Sequence, residues 1–219
     1  AVLAVRPGGR ETGEALVAHV DAVCFTGSVK TGRLVGVNAA QHFIPAFLEL
    51  GGKDPVIITA DFDPGQAADI VLRAAITASG QACQSLERVY IDRRIHDAFV
   101  ASLVDKARAT DINWPDIHSG VVGPFIFAPQ ARVVEAQIRD AVAKGARVLA
   151  GGEVENHGGE WLRPTVLVDV NHEMQVMTEE TFGPVSPVIR FRSIEEAIAI
   201  SNGTAFGLSS AVCTNRLDY

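Results

Sequence analysis

Cys83 is the residue in this sequence best placed to act as a nucleophile. It lies in a turn just after Gly80 and Gln81, where a predicted helix over residues 63–79 ends. A glycine at this point lets backbone N–H groups approach a ligand. Such N–H groups stabilise the oxyanion that forms when a thiolate attacks a carbonyl. Taken alone, the segment slightly favours the commoner alternative, a small buried apolar cysteine. That alternative is strongly favoured for Cys24 and Cys213, which lie in apolar strands.

Glu49 is a candidate general base at the end of a predicted strand over residues 43–50. A carboxylate after an apolar run is costly unless it is paired, solvated or functional. Two glycines, Gly51 and Gly52, follow it directly and allow an unusual bend. A base near a reactive thiol suits this context. Without other information, a carboxylate paired with Lys53 or with solvent is the favoured interpretation.

Gly27 and Ser28 form a turn between a predicted short strand and the start of a predicted helix. The free N–H groups and the dipole of a helix start bind phosphate well. The segment matches neither GxGxxG nor the P-loop. An ordinary serine N-cap is the alternative.

Two carboxylates, Glu179 and Glu180, precede a Phe-Gly-Pro turn that begins at Phe182. A carboxylate accepts hydrogen bonds from ribose hydroxyls, and an aromatic ring can wall a pocket. A polar loop before a strand is the simpler interpretation. The six histidines are scattered without metal-ligand spacing, so we expect them to be surface or loop residues and expect no metal site.

The elements that must position these residues alternate between strand and helix. Asp63 and Pro64 are typical of a helix start, and Ser193 with Glu196 forms a capping box. This alternation predicts an α/β fold with a largely parallel sheet. Strands are predicted over residues 2–5, 22–25, 43–50, 56–59, 89–91, 147–150, 164–170, 187–191 and 209–213, helices over 11–19, 29–40, 63–79, 95–107, 129–144 and 194–201, a surface loop over 151–159, and a helix start over 214–219.

Composition excludes several classes of protein. The 219 residues are 47% hydrophobic and 21% charged, which is typical of a globular chain with a substantial core. The net charge of −7 argues against binding to nucleic acid. Three scattered cysteines form no disulfide framework and favour a reducing compartment. We expect a cytoplasmic protein with neither a signal peptide nor a membrane span.

The order and spacing of the motifs are more specific than any motif alone. The chain contains FTGS, ELGGK, GQxC, EExFGPV and NGTxFGLSSAV in this order, with Glu49 and Cys83 separated by 83 − 49 = 34 residues. This succession resembles the aldehyde dehydrogenase superfamily over nearly the whole chain.

The resemblance implies a role for each candidate residue and an NAD(P)-dependent oxidation of a small-molecule aldehyde. Cys83 matches the catalytic nucleophile, and Glu49 matches the base that activates water. Five residues match cofactor contacts, with either NAD or NADP as the cofactor: Gly27 and Ser28 at the pyrophosphate, Leu50 near the nicotinamide, Glu180 at the nicotinamide ribose, and Phe182 as a neighbouring wall. A homo-oligomer is also implied.

The resemblance also implies two domains and missing parts. Residues 1–50 match the C-terminal part of a Rossmann-like NAD(P)-binding domain, and residues 51–219 match a thiol-bearing catalytic domain that is incomplete at its C-terminal end. Family members carry a further N-terminal half, and the asparagine often found before Gly-Gln is replaced by Ala78 or Ser79. Two alternatives stay open: a cofactor-independent thiol esterase, and a non-catalytic fragment that retains the fold.

Overall fold

Two parallel strands joined by a helix form the first part of the chain in the computed structural model, which describes residues 3–216. Two compact units divide between Gly51 and Gly52. The first unit contains α1 (Arg10–Val17), β1 (Val23–Gly27), α2 (Val29–Gln41) and β2 (Ala46–Leu50). Its β-α-β order agrees with the predicted alternation, because parallel neighbours need a crossover connection.

The second unit is built on a six-stranded sheet with helices on both faces. The six strands of this sheet are β3 (Asp54–Ile58), β4 (Leu86–Asp92), β5 (Arg147–Ala150), β8 (Thr165–Val168), β9 (Val185–Phe191) and β10 (Ala211–Cys213). A separate pair of strands consists of β6 (Val154–Asn156) and β7 (Glu160–Leu162). The helices of the second unit are α3 (Pro64–Ile76), α4 (His96–Arg108), α5 (Ala128–Ala143), α6 (Gln175–Thr178) and α7 (Ile194–Ser201). The sheet order is β10-β3-β4-β9-β8-β5, and only the β5–β8 pair is antiparallel. The predicted α/β class with a parallel-rich sheet is confirmed.

Two hydrophobic cores lie on opposite faces of this sheet. Val56 and Val89 belong to the core that includes α3 and α4, whereas Ile57 and Tyr90 belong to the core that includes α5 and α7. Successive strand residues point to opposite faces. A strand covered on both faces is therefore apolar at nearly every position, and all five residues of β3 are buried.

The helix signals in the sequence are confirmed in local geometry. Asp63 accepts a hydrogen bond from the Gln66 amide at 2.8 Å, and Pro64 opens α3. Ser193 accepts from the Glu196 amide at 3.3 Å at the start of α7. These side chains satisfy amides that have no partner within the helix, which is why they mark the helix starts.

Several predictions of local structure were wrong. The predicted loop over residues 151–159 contains β6, which pairs with β7 in an antiparallel hairpin. The strand predicted to begin at residue 43 begins at Ala46, since Phe43 has a positive φ of 56°. Residues 3–5 form no strand, and residue 2 of that predicted strand lies outside the described residues. Residues 214–216 are not helical, and residues 217–219 of the predicted helix start lie outside the described ones.

No helix within residues 3–216 is long and apolar enough to cross a membrane.

Candidate active site

The predicted cofactor residues of the first unit meet at the carboxyl ends of its two strands. Gly27 and Leu50 end β1 and β2 and are register partners. Ser28 follows Gly27 and caps α2, with its Oγ accepting from the Thr31 amide at 3.2 Å. A helix start beside the carboxyl ends of parallel strands is a common place for the phosphates of a nucleotide. The residues present therefore fit a dinucleotide pyrophosphate, although Ser28 is also an ordinary N-cap.

Glu49 is exposed on β2, next to Leu50 in sequence and opposite Thr26 in register. Of the two partners in the alternative interpretation, Lys53 or solvent, the exposure of Glu49 agrees with solvent, and the Lys53 ammonium donates to Glu87 and Thr181. An exposed carboxylate is solvated and is chemically able to take a proton from water.

The Cys83 turn in the second unit has an unusual backbone. A 3₁₀ turn follows α3, and three consecutive residues have positive φ: Ala78 at 52°, Ser79 at 59° and Gly80 at 71°. The left-handed conformation costs free energy at residues other than glycine, so surrounding contacts must hold it. Cys83 follows with a partly exposed thiol, which donates to Gln84 Oε1 at 3.2 Å.

Polar contacts hold this turn against residues 123–126. Ser79 Oγ accepts from the Gly123 amide at 2.8 Å. The Gln81 side chain donates to the Pro124 carbonyl at 3.1 Å and accepts from the Ile126 amide at 2.8 Å. Because both ends of the Gln81 amide are used, its orientation is fixed, and the turn before Cys83 is fixed with it.

Two glycines of the second unit, Gly52 and Gly80, lie close to backbone atoms of other segments. A Cβ placed on Gly80 would lie 2.3 Å from the Gly183 carbonyl carbon. A Cβ placed on Gly52 would lie 2.6 Å from the Cys83 carbonyl oxygen. Both neighbours are backbone atoms, which cannot rotate away. Within the second unit, Gly52 of ELGGK and Gly183 of EExFGPV thus lie against the backbone of the Cys83 turn.

Glu180 and Phe182 follow α6, close to a buried carboxylate that the sequence analysis missed. Burial, followed by the charge of Glu87, raises the pKa of Glu180, whereas a hydrogen bond from the Gly52 amide lowers it. Phe182 has a positive φ of 53°, and its amide donates to Glu87 at 2.8 Å. The half-buried Glu180 carboxylate is an acceptor suited to a sugar hydroxyl, so it fits the ribose contact that the resemblance implies.

Glu87 and Lys53 are the functional candidates that sequence reasoning overlooked. Glu87 lies within β4, every residue of which is buried. Lys53 directly follows the two glycines and is also buried. The available signal for Glu87 was its place, with Arg88, directly before the apolar run of residues 89–91, because charged side chains are rarely buried without a partner.

A cavity of about 420 Å³ opens beside β3 and the NGTxFGLSSAV segment, and Cys83 does not line it. Asp54 on its wall accepts from the Ser209 amide at 3.2 Å and from the Ser209 hydroxyl. Burial raises the pKa of Asp54, and these hydrogen bonds oppose the rise. The bonds tie the end of the segment to the start of β3.

One of the two predictions about the other cysteines was wrong. Cys24, predicted to be buried, is exposed, whereas Cys213 is buried as predicted and burial raises its pKa. His172 lies in a turn, in agreement with its prediction as a surface or loop residue; it is partly buried, and its Nε2 lies 2.9 Å from the Tyr90 hydroxyl. Within residues 3–216, no three His, Cys, Asp or Glu side chains cluster as metal ligands would.

The chain is similar in sequence to known proteins. The model of the Aldehyde dehydrogenase family matches residues 1–219. Lactaldehyde dehydrogenase of Escherichia coli (strain K12) is 38% identical over 213 residues, covering 96% of this chain and 44% of that protein.

Two solved structures have similar folds. Putative aldehyde dehydrogenase PutA from Anabaena variabilis has a TM-score of 0.95 at 47% identity, covering 96% of this chain and 45% of that one. Betaine aldehyde dehydrogenase from Staphylococcus aureus, solved with NAD+, has a TM-score of 0.89 at 31% identity, covering 94% and 42%. The chain spans somewhat less than half the length of these relatives.

Proposed function

Because the chain belongs to the aldehyde dehydrogenase family, we propose that it is part of an enzyme that oxidises a small-molecule aldehyde to a carboxylic acid. The Cys83 turn is the observation that carries this proposal. Its partly exposed thiol follows Ala78 and Ser79, whose unfavourable left-handed backbone is held by hydrogen bonds between the turn and residues 123–126. Backbone strain of this kind is concentrated at functional sites.

The chemistry proposed for Cys83 follows from its thiol. The thiolate adds to the aldehyde carbon, so that a C–S bond forms and the carbonyl electron pair moves to oxygen. NAD or NADP, when bound, accepts the hydride that leaves this carbon. The oxygen then re-forms its double bond, and the substrate is held on Cys83 as a thioester. A thiol suits both halves of the reaction, being a strong nucleophile and later a good leaving group.

Glu49 is proposed as the base for hydrolysis of the thioester. Its carboxylate takes a proton from water, and the water oxygen bonds to the thioester carbon. The C–S bond then breaks, which releases the carboxylic acid and returns the Cys83 thiolate. The exposed Glu49 side chain is consistent with access to water.

The proposed cofactor contacts remain those that the resemblance implies. Gly27 and Ser28 would hold the pyrophosphate, Leu50 would lie near the nicotinamide, and Glu180 and Phe182 would hold and flank its ribose. The helix start at Ser28 and the half-buried carboxylate of Glu180 support this assignment.

We also propose a cytoplasmic homo-oligomer that binds neither nucleic acid nor membrane. The acidic net charge of −7 supports the absence of nucleic-acid binding. The edge strand β10, with Val212 55% exposed, supports association with a second chain.

The test is oxidation of a panel of aldehydes by the full natural polypeptide that carries this sequence, with NAD+ or NADP+, followed by absorbance of the reduced cofactor. Cys83→Ala should abolish oxidation, while Cys24→Ala, a change at an exposed cysteine, should not. Hydrolysis of p-nitrophenyl acetate without oxidation of any aldehyde would favour a thiol esterase. The absence of both activities would favour a non-catalytic fragment.

A further inference from the structure

Lys53 and Glu87 form an ion pair inside the second unit. The Lys53 Nζ lies 2.7 Å from Glu87 Oε2, and the two side chains are 0% and 3% exposed. Burial lowers the pKa of Lys53, and Glu87 opposes this change. A buried ion pair generally stabilises a fold no better than an apolar pair of the same size, because both charges lose their hydration. Stability alone therefore does not explain this pair.

Both members of the pair bind the same short segment. Glu87 Oε2 accepts from the Thr181 amide at 2.8 Å, and Glu87 Oε1 accepts from the Phe182 amide at 2.8 Å. The Lys53 ammonium donates to Thr181 Oγ1 at 2.8 Å. The charged hydrogen bonds converge on Thr181 and Phe182, in the segment 180–182 that is proposed to hold the cofactor ribose.

Two glutamines of α5 complete the support of this segment. Gln137 accepts from the Thr181 hydroxyl at 2.8 Å and donates to the Glu180 carbonyl at 3.0 Å. Gln130 donates to the Thr181 carbonyl at 2.8 Å. The backbone on both sides of Thr181 is thus tied down, which offsets the cost of the positive φ at Phe182.

We propose that Lys53 and Glu87 are positioning residues that fix the backbone of residues 180–182, so that Glu180 and Phe182 are presented to the bound dinucleotide. This inference rests on the proposed function, which assigns Glu180 and Phe182 to the cofactor. The pair acts through the segment: Glu87 orients two consecutive amides, and Lys53 neutralises Glu87 and orients the Thr181 hydroxyl.

Glu87→Gln is the first variant. Glu87 accepts three hydrogen bonds, from the Lys53 ammonium and from the amides of Thr181 and Phe182. A glutamine side chain has only one acceptor oxygen, and its NH₂ group would face a donor, so at least one of these bonds is lost. The KM for NAD+ or NADP+ should rise about tenfold or more, as expected when a charged hydrogen bond is removed. Acylation of Cys83 by p-nitrophenyl acetate, which needs no cofactor, should keep its rate.

Asp92→Asn is the matched control, because Asp92 is another largely buried carboxylate of β4 and pairs with Arg94 at the far end of the strand. It should leave the cofactor KM unchanged.

The double variant Lys53→Met/Glu87→Gln separates positioning from stability. Removing both charges leaves none unpaired, so the urea midpoint should recover relative to Glu87→Gln. The cofactor KM should stay high.

Amide hydrogen exchange at Thr181 and Phe182 gives a direct readout in the same polypeptide. Both amides should exchange faster in Glu87→Gln than in the wild type or in Asp92→Asn. Unchanged exchange, or a double variant whose cofactor KM recovers together with its stability, would overturn the proposal. So would a wild type that binds neither dinucleotide in calorimetry. A different outcome separates the two proposals. If the wild type binds dinucleotide and Glu87→Gln has the effects described, but no aldehyde is oxidised, the proposed reaction is refuted and the positioning role is supported.

Discussion

Gly80→Ala tests whether the close approach at the Cys83 turn holds the nucleophile in place. The new methyl group would lie 2.3 Å from the Gly183 carbonyl carbon and 2.6 Å from the Pro184 nitrogen. Gly80 also has a φ of 71°. The left-handed backbone should cost about 1–2 kcal/mol and the forced contact about 1–3 kcal/mol, for a destabilisation of about 2–5 kcal/mol.

Gly158→Ala is the matched control for Gly80→Ala. Gly158 has a φ of 87°, but no atom lies within 4 Å of its ideal Cβ. Its substitution should therefore incur only the backbone cost, about 1–2 kcal/mol. The difference between the two variants isolates the contact with Gly183.

Urea unfolding followed by tryptophan fluorescence measures both variants, since the two tryptophans, Trp114 and Trp161, lie in the second unit. Gly80→Ala should also change the alkylation rate of Cys83, because the turn must shift to accept the methyl group. The reasoning fails if Gly80→Ala is no less stable than Gly158→Ala and if the thiol reacts at its wild-type rate.

Three further predictions concern reactivity, turnover and assembly. Iodoacetamide should label Cys83 faster than Cys24 or the buried Cys213, whose pKa is raised by burial; peptide mapping that found Cys24 labelled first would place the nucleophile elsewhere. Glu49→Gln in the active polypeptide should slow deacylation by about 10²–10⁴-fold, so that rapid quenching detects accumulated acyl-enzyme, and unchanged turnover would exclude Glu49 as the base. Light scattering over a concentration series should show self-association that Val212→Lys weakens, since a lysine on an edge strand opposes pairing. A wild type that stays monomeric at every concentration would contradict this expectation.

The helix starts and the family could be predicted because their signals are local. Asp63 and Ser193 cap helices through amides three residues away, so their neighbours in sequence suffice to reveal them. The ordered motifs likewise identified the aldehyde dehydrogenase family, which the family match over residues 1–219 confirms. The roles of Cys83 and Glu49 remain predictions.

The hairpin of β6 and β7 shows where local signals fail. Residues 151–159 are polar and rich in glycine, which is typical of a loop. Pairing of Val154 with Leu162 nevertheless makes part of this segment a strand. The exposure of Cys24 on β1 is a similar case, because burial depends on which elements cover a strand and not on its own composition.

The sequence by itself determined the strand–helix alternation, the helix caps and the motifs that identify the family, since each depends on residues close together in the chain. Only the tertiary structure decided which partner Lys53 takes. Glu49 is four residues away in sequence, yet the Lys53 ammonium binds Glu87, 34 residues away, and Thr181, 128 residues away. A buried charge must find its partners among the groups buried beside it, and those groups are set by how distant strands pack together.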